Sequence, residues 1–141
     1  MKPLYAILFA ALMANQALGQ DLGPVPASEV ILADQLYVKR PVVVFADSPN
    51  DPNFIRQMEL LAEGYPALAD RDVIVVTDTD PTARSDWRLD LRPRGFSLVL
   101  LDKDLKPVIR KPSPWSVREI TAAIDKLPSR RQETQHSDTA P

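Results

Sequence analysis

Four aspartates sit just beyond two short apolar runs. Asp47 and Asp51 follow VVVFA at 42–46, and Asp78 and Asp80 follow VIVV at 73–76. With Ser48 and Asn50 they place oxygen-bearing side chains at the ends of two expected strands, the edge where open α/β sheets bind ligands. Oxygen ligands of this kind suit calcium or magnesium, so Asp47, Asp51 and Asp78 make a candidate cation site. A cation held there would be the basis of a cation-dependent enzyme. The same residue types also cap helices and close turns, and the spacing matches no EF-hand or other known loop. Both readings stay open at this level.

A second set is basic. Arg84, Arg88 and Arg92 recur every four residues, which on a helix puts them on one face, and Arg94 follows closely. Such a face suits an anionic patch on a partner or a small anionic ligand. It equally suits a solvated face bridged by Asp86 and Asp90 of the same segment. Arg130 and Arg131 follow the last expected helix, where cations satisfy final carbonyls and the negative end of the dipole. A docking role, with Arg131 reaching back to an acid at the sheet edge, is the alternative.

Other chemistries are poorly supplied. The chain has no cysteine, which removes thiol and disulfide chemistry, and its one histidine, His136, lies in the C-terminal tail. Ser48 therefore has no base within the expected fold, and there is no Gly-x-Ser-x-Gly elbow. Zinc lacks ligands. The four glycines are not clustered into a phosphate loop. Trp87, Trp115, Tyr37 and the phenylalanines read as packing residues rather than a stacking platform for bases. A net charge of −2 gives no general attraction to nucleic acid or anionic lipid. No cofactor is expected.

The elements that would position these residues are punctuated by proline. Residues 1–19, with Lys2, an apolar stretch from Leu4 to Met13 and a small-residue end at Ala17 and Gly19, have the pattern of a secretory signal peptide. The apolar run is too short for a spanning helix. Cleavage would leave no membrane span, remove one positive charge and send the protein to the periplasm or outside the cell. Residues 20–40 read as a linker and lead-in. A thioredoxin-like domain over 41–128 would follow, then a tail at 129–141 that is basic at first and disordered after Glu133.

Within that domain, VVVFA and VIVV are continuous β-branched runs typical of strands buried on both faces. Phe54, Met58 and Leu61 mark an amphipathic helix stopped by Gly64. Residues 82–91 form a shorter helix with Trp87 and Leu91 on one side. FSLVLL at 96–101 and KPVIRK at 106–111 form a hairpin whose second strand is an edge. Ser116 and Glu119 make a capping box for a helix striped by Val117, Ile120, Ile124 and Leu127, which Pro128 ends. The order requires a right-handed βαβ unit followed by a hairpin and helix. A four-stranded mixed sheet covered by helices on both faces is the expected α/β architecture.

This order resembles the thioredoxin fold. VVVFADSPNDPNF stands where a thioredoxin has its strand, its Cys-x-x-Cys turn and the start of its long helix. RGFSLVLLDKDLK stands at its cis-proline, next strand and hairpin. Pro49 and Pro52 fall near the two cysteine positions, and Phe96 falls near the cis-proline. A closer resemblance rests on KRPVVVFADSPNDP, RDVIVV, GFSLVLLDKD and IDKLPSRRQE, with Arg130-Arg131-Gln132-Glu133 the most specific match. These resemble a secreted thioredoxin-like family, the domain of unknown function 4174, related to matrix proteins such as equarin and sushi-repeat proteins. Leu105 departs from it, standing where many members have glycine.

The resemblance implies an exported, non-redox binding or structural module. Its partner would be an unidentified protein or a small anionic ligand, met by the loops at 46–53, 78–82 and 92–96. An envelope or adhesion scaffold is the alternative that the matrix relatives suggest.

Overall fold

The structure, a computed structural model, describes residues 22–139; the expected signal peptide at 1–19 lies outside them. At its centre is a mixed sheet built on β2 (Arg40–Phe45), β3 (Val73–Asp78) and β4 (Ser97–Leu101). β2 and β3 run parallel, and β2 and β4 antiparallel, so Phe45 stands beside both Asp78 and Ser97. β5 (Pro107–Lys111) closes one edge against β4. The ends of 42–46 and 73–77 are thus side by side, as the sequence pattern requires.

The sheet has five strands, not the four expected. A two-residue strand, β1 (Val25–Pro26), pairs parallel to β3 through Val25 opposite Val76 and Pro26 opposite Thr77. Its residues lie in the stretch read as a linker. Proline hides such a strand in sequence but is tolerated at a sheet edge, where its missing N–H faces no partner. Two 3₁₀ turns, Ala27–Glu29 and Leu32–Gln35, continue the lead-in. The Trp87 indole donates to the Val30 carbonyl at 2.9 Å and pins this segment to the domain.

The buried β-branched runs divide between two faces. Val42, Val44, Leu98 and Leu100 face a core closed by α1 (Pro52–Ala62), α2 (Tyr65–Ala69) and α4 (Val117–Asp125), through Leu61, Leu68, Ile120 and Ile124. Val43, Phe45, Val76, Val99 and Leu101 face the other side, covered by Trp87 and Leu91 of α3 (Asp86–Leu91) and by the lead-in turns. The capping box at Ser116 and Glu119 is formed. Gly64 lets α1 and α2 approach α4: a Cβ there would meet a Val117 methyl at 2.8 Å.

The tail also differs from expectation. Pro128 ends α4 by opening a new helix, α5 (Pro128–Thr139), so the segment after Glu133 is helical rather than disordered. Proline is well suited to a first helical position because that N–H has no intrahelical acceptor. Among the described residues no helix is long and apolar enough to cross a membrane. Tyr37, expected in packing, is 74 % exposed.

Candidate functional site

The strand ends that gather the acidic set are occupied by an internal lock. Asp78 is only 5 % exposed. One of its carboxylate oxygens accepts from Arg88 Nε and Nη2 at 3.3 and 3.0 Å and from the Asp80 amide at 3.2 Å; the other accepts from the Ser85 hydroxyl. Arg88 Nη2 also donates to the Ala46 and Asp78 carbonyls, and its guanidinium lies 5.4 Å from the centre of the Phe45 ring. Ser85 accepts in turn from the Arg88 amide as the cap of α3. A carboxylate bonded through both oxygens in this way holds the ends of β2, β3 and α3 together.

The remaining acidic candidates stand apart. Asp47 is exposed. The Ser48 hydroxyl accepts from the Asn50 amide within the turn, and Asp51 accepts from the Asn53 amide as the cap of α1. Asp80 accepts from the Thr82 hydroxyl and amide, and the hydroxyl bond leads the causes that hold its carboxyl below the usual range. Among the described residues, no three His, Cys, Asp or Glu side chains are grouped to hold a metal. An open groove of about 540 Å³ runs beside this edge, lined by Asp80, Ser85, Asp86 and Trp87 with Ala27 and Val30 of the lead-in.

The arginines do not share a helical face. The helix expected over 82–91 is broken: a 3₁₀ turn at Pro81–Ala83 ends at Arg84, and α3 starts only at Asp86. Arg84 and Arg92 both take the left-handed backbone region, each at φ 49°, one before α3 and one at its end. Arg88 points inward. Arg92 and Arg94 instead line a second cleft, of about 430 Å³, with Phe96, Ser97 and Arg110. Arg110 was not among the sequence candidates. It sits on edge strand β5 opposite Val99, and only strand pairing brings it beside the 92–97 loop.

The opposite end of the sheet holds a network that the sequence pattern did not single out. Arg40 is fully buried, and its five N–H groups make five hydrogen bonds: to Asp102, the Arg71 carbonyl, the Ser129 hydroxyl and both oxygens of Glu133. Lys103 binds Asp72 at 2.7 Å and Glu133 at 2.8 Å. Arg130 reaches Glu133 at 3.3 Å, while its own Nε is buried without a partner. Arg131 is exposed, so the acid of the tail, not Arg131, reaches back to the sheet. Burial pushes the Glu133 carboxyl up, but hydrogen bonds from Arg40 and Lys103, reinforced by Arg130, hold it at about 2. The Lys103 ammonium is raised because Asp72 and Glu133 outweigh its own desolvation. One sequence signal pointed here: an arginine directly abutting a run whose every residue is apolar and buried.

The comparisons with known proteins accord with this geometry. A family model, the domain of unknown function DUF4174, matches residues 31–133. The chain belongs to that family. The four segments behind the sequence resemblance supply Arg40, Arg71, Asp102, Ser129 and Glu133, so in this DUF4174 domain they meet in one ion network. No curated protein matches the chain.

Among solved structures, the DUF4174 domain is similar to desulfothioredoxin from Desulfovibrio vulgaris Hildenborough in its reduced form. The identity is 19 %, covering 74 % of this chain and 97 % of that one, with a TM-score of 0.54. A thioredoxin from Thermus thermophilus has 17 % identity, coverages of 76 % and 87 %, and a TM-score of 0.54. The reduced 2-Cys peroxiredoxin of Plasmodium vivax has 16 % identity, coverages of 79 % and 86 %, and a TM-score of 0.54. Likeness at this level establishes the thioredoxin-like fold, here in a chain with no cysteine.

Proposed function

We propose that this DUF4174 domain is an exported, non-redox binding module that meets its partner through the loops at 46–53, 78–82 and 92–96. The observation that carries the reading is the turn at 47–51. It stands where the thioredoxin resemblance puts the redox pair, yet it is exposed and offers Asp47, Ser48, Pro49 and Asn50. Its polar contacts are local ones that shape the turn and cap α1. Beneath it, the Asp78–Arg88–Ser85 lock holds the strand ends rigid, as a presenting surface needs if little ordering entropy is to be lost on binding. Export is the role assigned to residues 1–19.

The reading is tested by placing a photo-crosslinking amino acid at Asn50, Thr82 or Arg94 on the sheet's upper edge, and at Glu59 or Lys106 as controls, in the natural host. Crosslinks from the first three positions alone support it; equal crosslinking from the controls, or none from any position, overturns it. Cell fractionation tests export separately. A full-length precursor confined to the cytosol would exclude it.

A further inference from the structure

We propose that the cleft at the start of β4 binds a phosphate-bearing small anion through Arg92, Arg94, Arg110 and the Ser97 hydroxyl. The inference rests on the binding-module reading and gives one of its loops a ligand class.

Three arginines are among the residues that line one concavity of about 430 Å³, and no Asp or Glu lines it with them. That is an unusual place to leave three positive charges in a chain whose net charge is −2. Elsewhere in the described structure, arginines that converge on a site do so around acids: Arg40 and Arg130 around Glu133, and Arg88 around Asp78. Within the cleft, one Arg110 donor is used, at 2.7 Å from the Leu91 carbonyl, which fixes that side chain and leaves its other donors free to meet a ligand. Arg92 and Arg94 are exposed.

Ser97 is the second observation. It is 5 % exposed, yet it lines the cleft, and its hydroxyl makes no hydrogen bond among the described residues. Of the buried side-chain polar atoms only Arg130 Nε lacks a partner among the described residues, so the unbonded Ser97 hydroxyl opens to solvent, where it is free to donate to an oxyanion in the cleft. Arg92 adds a third. It caps α3 in the left-handed region, a position that ordinarily falls to glycine. Arginine there is unfavourable for the backbone, yet it stands among the residues that line the cleft. Guanidinium forks match the paired oxygens of phosphate groups, and a cleft of this size suits a small ligand better than a flat surface does.

The test uses the full chain, calorimetric and NMR titration with inorganic pyrophosphate at 0.15 M salt, and citrate as a phosphate-free polyanion. Saturable one-to-one binding of pyrophosphate, tighter than citrate, with amide shifts centred on Gly95 to Ser97 is expected. Arg94→Glu should weaken it at least about tenfold, since a charge-assisted hydrogen bond is lost and a repulsive charge gained. Ser97→Ala should weaken it severalfold.

Arg92→Gly separates binding from folding: affinity should fall about tenfold while Tm rises by about 3 °C as the backbone relaxes. Arg84→Gly relieves the same strain outside the cleft, so its Tm should rise with affinity unchanged. No saturable binding, binding indifferent to Arg94→Glu, or citrate binding as tightly as pyrophosphate would each overturn the assignment. Those results, with crosslinks at Asn50 and Thr82 intact, would remove the anion site and leave the binding module standing. Pyrophosphate binding without any upper-edge crosslink would do the reverse.

Discussion

Arg40 shows how much a single side chain can be asked to hold. Its guanidinium is out of reach of solvent and survives there because every donor has an acceptor and two carboxylates balance its charge. Arg40→Lys keeps the charge but replaces a planar fork of five donors with a point charge carrying three. It should leave the Arg71 carbonyl or the Ser129 hydroxyl unserved and lower stability by about 3 kcal/mol, read as an earlier urea midpoint at unchanged slope. Equal midpoints would mean that the fork geometry contributes nothing. At this scale the sequence was half legible. Asp51 as a cap and the Ser116–Glu119 box follow from residue type and position, because their partners lie within three residues. The four-residue spacing of Arg84, Arg88 and Arg92 misled for a converse reason. Spacing implies a shared face only if the backbone stays helical, and Arg84 and Arg92 both leave it. Leu105, where the resemblance leads one to expect glycine, shares that left-handed geometry at φ 64° and packs its side chain against the second core cluster.

Elements were legible where one strong pattern governed them. VVVF, VIVV and SLVLL could only be interior strands, and the stripes of α1 and α4 left one face to bury. β1 and α5 were not legible, because neither is made by its own hydrophobic pattern. β1 has two residues and exists because β3 offers an open edge. α5 is polar throughout and is anchored by Ser129 and Glu133 on the sheet's lower edge. Ending the chain after Leu127 should therefore strip partners from Arg40 and lower stability by about 3 kcal/mol or more, whereas ending it after Ser137 should change it by less than about 0.5 kcal/mol. Comparable melting curves for the two truncations would show that the tail contributes nothing to the fold. The α1–α4 contact gives a second check. Gly64→Ala forces a methyl onto the stiff, β-branched Val117 and should cost about 2 kcal/mol by thermal melting.

Across the whole molecule the two ends of the sheet are divided in use. The upper edge carries exposed loops above a single buried pair, Asp78 with Arg88, and the lower edge is closed by a larger set of paired charges that ties β2, β4 and α5 together. That closure makes global stability depend on acid in a way set largely by one group. Glu133 titrates near 4.5 in an unfolded chain and at about 2 when folded. Between those values the unfolded chain takes up a proton that the folded one refuses, so lowering the pH favours unfolding. The contribution is fully present above about pH 5 and is lost as pH falls through the window to 2. Allowing for the partial exposure of the side chain, it amounts to roughly 2 kcal/mol. Glu133→Gln removes the titration, so the variant should be less stable than the parent by about that amount at pH 7. The two should converge as pH approaches 2. Asp125, held low first by its hydrogen bond from Arg71, and Asp80, held low by Thr82, keep a shallower acid slope in both proteins. Urea midpoints at intervals from pH 7 to 2.5 read the difference directly. Parallel curves for parent and variant would mean that Glu133 is not held low by Arg40 and Lys103, and that the lower edge is not latched by charge.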